Sequence, residues 1–198
     1  MPITVLNHIT LDGRMQAPGR PDEDTRGGFT QGGWAEAGND EVLGRFLGER
    51  MGAGEKRALL FGRRTYEDLL SFWNTQPDSP FTPMLNESPK YVASKTLVEP
   101  LPWPNSTLLG VDAASAVAVL KKKEPDTSFM IMGSQALIKS LQPLDLIDEW
   151  LLLIHPMVLG NGLQLFEEST PMPLSLVESI PTTTGVIIAT YRPSRESD

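Results

Sequence analysis

The chain has 198 residues, with 40% hydrophobic and 21% charged residues, a formal net charge of −8 and a pI near 4.8. The acidic balance argues against nucleic acid and anionic membrane surfaces as partners, because both recognise cationic protein surfaces. The absence of cysteine excludes disulfides, thiol nucleophiles and thiolate metal sites, and no segment approaches the roughly 20 apolar residues of a membrane span. A single cytoplasmic domain spanning residues 1–198 is expected.

Residues 3–9 read as a buried strand. From Asp12 to Gly38 glycine, proline and charge prevail, with little hydrophobic periodicity. A loop of this length, 13–38, reads as a lid, and Phe29 and Trp34 supply apolar anchors. Val42, Leu43, Phe46 and Leu47 form the stripe of a helix from Asp40 to about Arg50. A strand at 57–61 leads through Gly62 into a helix at 65–72, for which Thr65 and Asp68 supply a capping box. Residues 73–89 read as loop. Short strands follow at 91–94 and 107–109, then a helix at 113–123 capped by Asp112. A strand at 128–132 meets a second glycine turn and a helix at 135–141. Trp150–Ile154 forms a strongly apolar strand, and 174–180 and 185–192 are the final two. Alternating strands and helices followed by strands predict an α/β fold with a mostly parallel sheet and an antiparallel finish.

The most informative segments are Leu60-Phe61-Gly62-Arg63-Arg64-Thr65 and Ile131-Met132-Gly133-Ser134-Gln135-Ala136. Each runs from apolar strand through glycine to the first turn of a helix. Such turns aim backbone N–H groups and the positive end of a helix dipole at one point, which suits phosphate. Two of them could hold two ends of one polyphosphate cofactor. Arg63 and Arg64 are cations near a helix start, where the dipole disfavours them, and that conflict favours a ligand over an idle surface. Lys95 reads equally as a loop residue or a phosphate contact. Trp34 reads equally as a loop anchor or as a side chain over a pocket. His8 and His155 lie far apart in sequence and read as structural residues. Lys121, Lys122 and Lys123 complement a helix C-terminus.

The ordered set Thr10-Leu11-Asp12-Gly13, Gly32-Gly33-Trp34, Gly62–Glu67, Ser94-Lys95-Thr96-Leu97, Gly133-Ser134, Asp148-Glu149 and Pro156–Gly162 resembles the dihydrofolate reductase-like superfamily. Within it, the chain is most similar to the reductase domain of bacterial riboflavin biosynthesis and its stand-alone relatives. That resemblance implies a three-layer αβα fold with a sheet of about eight strands, NADPH as hydride donor, a small polar heterocyclic substrate and a homodimer. It places Gly62, Arg63, Arg64 and Thr65 at cofactor phosphates, and Ser94 and Lys95 near the adenosine ribose. Gly133, Ser134, Gln135 and Ala136 would wrap the pyrophosphate. Thr10 and Asp12 would lie beside the nicotinamide, with Trp34 over the substrate pocket. Asp12 would serve in catalysis by relaying a proton, if burial raised its pKa.

Two departures stand against that pattern. The first helix carries Val42, Leu43 and Phe46 where dihydrofolate reductases place a carboxylate, and Ile131-Met132 precede the second glycine turn where riboflavin-pathway reductases carry an acid. The cofactor half of the resemblance is matched and the substrate half is not. The alternative reading is a nucleotide-binding module without reductase activity.

Overall fold

In the stretch Arg57–Gly62 (β2), Ala58, Leu59, Leu60 and Phe61 are all buried, the mark of a strand covered on both faces. The same continuous burial runs along Ile3–Thr10 (β1), Ser128–Met132 (β5) and Glu149–His155 (β6). Two short strands, Lys90–Ala93 (β3) and Ser106–Leu109 (β4), and the C-terminal pair Leu174–Pro181 (β7) and Ile187–Pro193 (β8) complete the set. This computed structural model describes residues 2–51, 56–79, 81–110, 112–166 and 171–194. Its strands form one eight-stranded sheet in the order β4-β3-β2-β5-β1-β6-β8-β7. Pairs β2–β3, β2–β5 and β3–β4 are parallel, whereas β6–β8 and β7–β8 are antiparallel. The α/β class expected from the sequence, mostly parallel with an antiparallel finish, is what the chain adopts.

The packing divides into two compact units, one of Met1–Val5 with Glu55–Ile147 and one of Leu6–Gly54 with Asp148–Asp198. In the first, helix α2 spans Arg63–Trp73, α3 Phe81–Glu87, α4 Ala113–Lys123 and α5 Gln135–Leu141. Asp112 caps α4 as expected, its side chain accepting from the Ser115 N–H at 3.2 Å. The predicted Thr65–Asp68 capping box does not form. Helix α2 starts two residues earlier than expected, with Gly62 as its extended N-cap, so Thr65 already lies inside the first turn. The stretch 73–89 is not wholly loop either, because it contains α3. Pro83 is the third residue of that helix, where the N–H it lacks would have had no intrahelical partner. Burial of Thr82 and Leu85 and an edge-on contact of Phe81 with Trp73 at 4.7 Å hold α3 in place.

Lys90, fully buried at the start of β3, closes the far end of α3. Its ammonium donates to the carbonyls of Leu85 at 2.6 Å, Asn86 at 3.3 Å and Ser88 at 2.7 Å. A cation at a helix C-terminus is favoured by the dipole and supplies donors to carbonyls that have none of their own.

The second unit holds helix α1 (Glu41–Met51), whose Arg50 pairs with the buried Glu149 carboxylate from one side. Arg192 reaches the same carboxylate from β8 at 3.0 Å. The long segment 13–38, expected as a lid, is folded. It contains two 3-10 turns, Arg26–Gly28 and Glu36–Gly38. Ala17, Phe29, Trp34 and Ala35 form a small apolar cluster with Met157 and Leu159 against it. Gln16 braces the segment from inside, donating to the carbonyls of Asp24 at 3.1 Å and Arg26 at 3.0 Å and accepting from the Leu163 N–H at 3.0 Å. Strand β7 ends the sheet and carries a bulge between Leu176 and Glu178, a feature that disfavours pairing of a free edge.

Candidate functional site

In the first unit the site residues are brought together by strand register. Gly62 at the end of β2 lies opposite Ala93 at the end of β3, and Leu60 lies opposite Ile131 near the end of β5. Three neighbouring parallel strands therefore end at one edge of the sheet. The segments that follow them are Arg63-Arg64-Thr65, Ser94-Lys95 and Gly133-Ser134-Gln135-Ala136. The carboxyl edge of a parallel sheet is where α/β proteins form ligand crevices, because strands stop there and loops and helix starts converge.

The two glycine turns are joined. The Gly62 N–H donates to Ser134 Oγ at 2.8 Å, and that hydroxyl donates in turn to Thr65 Oγ1 at 2.9 Å. Ser134 sits in the left-handed region at φ 59°, directly after Gly133 at φ 64°. A Cβ on Gly133 would meet both Cγ2 and Oγ1 of Thr65 at 3.3 Å, so glycine is required by conformation and by space. Because Ser134 spends its hydroxyl on the other turn, no side chain caps the start of α5, and none caps α2. That leaves helix starts suited to an anion. Arg63 is half-exposed, with only a loose 4.0 Å approach to Glu67, and Arg64 and Lys95 are exposed. The Ser94 hydroxyl instead accepts from the N–H groups of Thr96 and Leu97 at 3.1 and 2.9 Å, closing its own turn.

In the second unit, Thr10 and Asp12 form a different kind of structure. Thr10 Oγ1 donates to Asp12 at 2.6 Å and accepts from the Arg14 N–H at 3.0 Å. The other acceptor sites of Asp12 take the N–H groups of Leu159 at 3.2 Å and Gly160 at 2.8 Å. Arg14 adds an ion pair at 3.4 Å and donates to the Gly162 carbonyl at 2.7 Å. The Thr10 hydroxyl bond and these backbone donors hold the Asp12 carboxyl far below the usual carboxylate range, despite an opposing effect of desolvation. The relay expected of Asp12 required burial to raise its pKa, whereas its partners act in the opposite direction. Asp12 is an ionised brace between the end of β1 and the 159–162 turn, not an acid poised near neutrality. Replacing it by asparagine should lower the melting temperature at pH 7. The deficit should shrink as pH falls below about 4, because the depressed folded pKa gives stability that is present above the unfolded value and lost in acid. Melting curves at pH 7 and pH 3 check this.

Trp34, expected over the pocket, is buried in its own loop. Its indole N–H donates to the Gln16 carbonyl at 2.7 Å and its ring meets His155 edge-on at 5.2 Å. The two histidines set aside as separate structural residues form a pair, His8 Nδ1 to His155 Nε2 at 2.8 Å. Sequence reasoning missed the contact because 147 positions separate them. The available signal was that each occupies a strand of continuous apolar character. Among the described residues, no group of three or more histidine, cysteine or acidic residues could hold a metal. Nor is any helix there long and apolar enough to cross a membrane.

An eight-stranded, mostly parallel sheet with antiparallel last strands and helices packed around it is the dihydrofolate reductase-like fold. Residues 2–188 match the RibD C-terminal domain, and the chain belongs to that family. Both expectations drawn from the motif order hold. Uncharacterized protein YyaP of Bacillus subtilis (strain 168) is 28% identical over 172 residues, covering 82% of this chain and 89% of the relative. A putative riboflavin biosynthesis protein from Shewanella sp. PV-4 superposes with TM-score 0.64 at 22% identity, over 98% of this chain and 100% of that one. A pyrimidine reductase-like protein from Corynebacterium diphtheriae gives TM-score 0.64 at 11% identity, over 98% and 92% of the two chains. Dihydrofolate reductase from Enterococcus faecalis, in complex with NADP(H) and RAB-propyl, gives 0.60 at 14%, over 98% and 97%.

Proposed function

We propose that the protein is an NADPH-dependent reductase that delivers a hydride to a small polar, heterocyclic substrate. The observation that carries this reading is the sheet edge of the first unit, where two glycine turns fused through Ser134 present uncapped helix starts. Membership of the RibD C-terminal domain family supports the reductase class, and the NADP(H) in the Enterococcus faecalis neighbour supports the choice of cofactor.

NADPH, when bound, supplies the hydride. The chain's part is to bind and orient it. The first turn of α2 and the Gly133-Ser134-Gln135-Ala136 turn fit phosphate groups, since a Cβ at Gly133 would press on Thr65 within the cradle. Arg63, Arg64 and Lys95 supply positive charge at the same edge, in a chain whose net charge is −8. Short-range cations of this kind outweigh the overall sign, which salt screens beyond about 10 Å. In the second unit Thr10 and Asp12 brace the end of β1 against the 159–162 turn, and Trp34 braces its own loop. A homodimer, implied by the family resemblance, is part of the proposal. Sedimentation equilibrium tests it.

Thermal-shift titration with NADPH, NADH and NADP⁺ tests the cofactor assignment. Ligand at about 100 times its dissociation constant adds roughly 2.7 kcal/mol of stability, a readily measured shift. Arg63→Ala should weaken NADPH binding by about 1–3 kcal/mol, the range of a charge-assisted contact. If none of the three nucleotides shifts the transition at millimolar concentration, the reductase reading fails. The apolar Ile131-Met132 before the second glycine turn, where riboflavin-pathway reductases carry an acid, favours one second reading, a nucleotide-binding module without turnover. Binding of NADPH with no oxidation across pterins, flavin precursors, quinones and aldehydes would select it.

A further inference from the structure

Of the six asparagines in the chain, Asn161 alone is followed by glycine. In such a pair the glycine backbone nitrogen has open access to the side-chain amide carbon, because no Cβ shields the approach. A folded protein permits that attack only where the amide and the glycine N–H are both free of hydrogen bonds and water reaches them.

Asn161 meets these conditions. It is exposed in the turn after β6, and among the described residues neither its side-chain amide nor the Gly162 N–H makes a hydrogen bond. Both residues line a cavity of about 280 Å³ together with Arg26 and Phe29. Glycine is required at 162. Its φ is 91°, and a Cβ there would come within 2.9 Å of the Phe29 ring and 3.3 Å of Gln16 Oε1. The fold that needs Gly162 therefore keeps the reactive nitrogen beside Asn161.

Two comparable places in the chain are closed by hydrogen bonds. Asp12 also precedes a glycine, but the Gly13 N–H donates to the Thr10 carbonyl at 2.9 Å, and the Asp12 carboxylate is held by the Thr10 hydroxyl and the Gly160 N–H. Asn105 sits in the left-handed region at φ 56° before a serine. Its amide is occupied, donating to the carbonyls of Asn86 at 3.0 Å and Glu87 at 3.3 Å.

We propose that Asn161 is a site of spontaneous deamidation, and that its isoaspartate product loosens the turn held by Asp12. The Gly162 nitrogen forms a bond to Asn161 Cγ and gives up its proton. The bond from Cγ to Nδ2 breaks, and that nitrogen leaves with the proton as ammonia. Water then opens the cyclic imide at one of its two carbonyls. One opening gives aspartate. The other gives isoaspartate, in which the main chain runs through the former side chain and is longer by one methylene. The turn is pinned on both sides of that insertion. Before it, the N–H groups of Leu159 and Gly160 donate to Asp12. After it, the Gly162 carbonyl accepts from Arg14 at 2.7 Å and the Leu163 N–H donates to Gln16 at 3.0 Å. An added main-chain atom between two fixed ends forces one set of bonds to release.

The test incubates the full-length protein at pH 8 and pH 5 and maps its peptides by mass, with an isoaspartyl methyltransferase marking isoaspartate. At pH 8 Asn161 should gain one dalton roughly tenfold faster than any other asparagine, because the others must first break about one hydrogen bond or open locally. At pH 5 conversion should be far slower, since the attacking nitrogen has to lose its proton. Asn161→Gln should remove the modified species, because the larger ring closes slowly. An Asn161 that stays intact in the folded chain at pH 8 overturns the site, and conversion of the same residue in urea would show that the fold protects it. Isoaspartate appearing at Asp12 or Asn105 as early as at Asn161 overturns the hydrogen-bond argument. Anion exchange then isolates the converted protein, which carries one more negative charge. The isoaspartate form should melt several degrees below the parent, whereas Asn161→Asp, which adds the charge without the length, should melt close to it. An isoaspartate form that melts no lower than Asn161→Asp overturns the loosening of the turn.

Discussion

Gly38→Ala is expected to cost about 2–3 kcal/mol, the upper part of the usual range for overpacking a close-packed site. The added Cβ would lie 2.5 Å from Cε1 and 2.6 Å from Nδ1 of His155, and 2.8 Å from Cγ2 of Val186. None of these atoms is the free end of a flexible chain. His155 is hydrogen-bonded to His8 and walled by Trp34, and Val186 is fully buried. The backbone at Gly38 is tied as well, its carbonyl accepting from Thr184 Oγ1 at 2.8 Å. Gly44→Ala supplies the control, since a Cβ there meets nothing within 4 Å and the residue sits inside α1. That substitution should stabilise by about 1 kcal/mol through helix propensity alone. Urea denaturation of both variants should give opposite signs, and two changes of the same sign would refute the packing account.

Lys90→Met should destabilise by about 3 kcal/mol, because it leaves the Leu85 and Ser88 carbonyls without the ammonium in a fully buried place, whereas Asn86 keeps the Asn105 amide as donor. The methionine fills the volume, so the loss reports the ammonium rather than a cavity. A pH signature accompanies it. Burial pushes Lys90 down to about 8 in the folded chain, below the unfolded value near 10.5. Between those two values the unfolded state holds more protons than the folded one, so the Lys90 contribution to stability rises with pH across that window. Chemical denaturation at pH 7, 9 and 10.5 should show the native chain gaining on Lys90→Met as pH increases. A gap that narrows instead would mean the ammonium is better stabilised by its carbonyls than burial penalises it.

The fold was legible where one physical signal dominated. The apolar runs at 57–61, 128–132 and 150–154 announced strands covered on both sides, and the glycines after the first two announced turns into helices. What escaped the sequence needed partners remote along the chain, or a local rule overridden by position. The stretch 73–89 read as loop, yet it holds a helix in whose first turn Pro83 has no need of an N–H. Thr65 read as a cap, yet Gly62 takes that place and frees Thr65 to receive the Ser134 hydroxyl. The lowered pKa of Asp12 comes first from the nearby Thr10 hydroxyl, and then from the N–H groups of Gly160 and Leu159, which no local pattern brings near. The same holds for the histidine pair, which exists only once strand order is known. Motif order carried the family and the fold. It did not reveal that Trp34 is turned inward to brace its own loop.

The two compact units are each discontinuous in sequence, and this imposes a timetable on a chain made from its N-terminus. Everything in the first unit has been synthesised once residue 147 emerges, because its only earlier piece is Met1–Val5. The second must wait for β8. β8 lies between β6 and β7 in the sheet yet is made after both. Until then Leu151, Leu152 and Leu153 of β6 lack the neighbour that later pairs with them, and β7 has no strand to join. Until β8 is made, β6 therefore carries an apolar, unpaired edge, and β8 decides whether that edge is closed or left open to other chains.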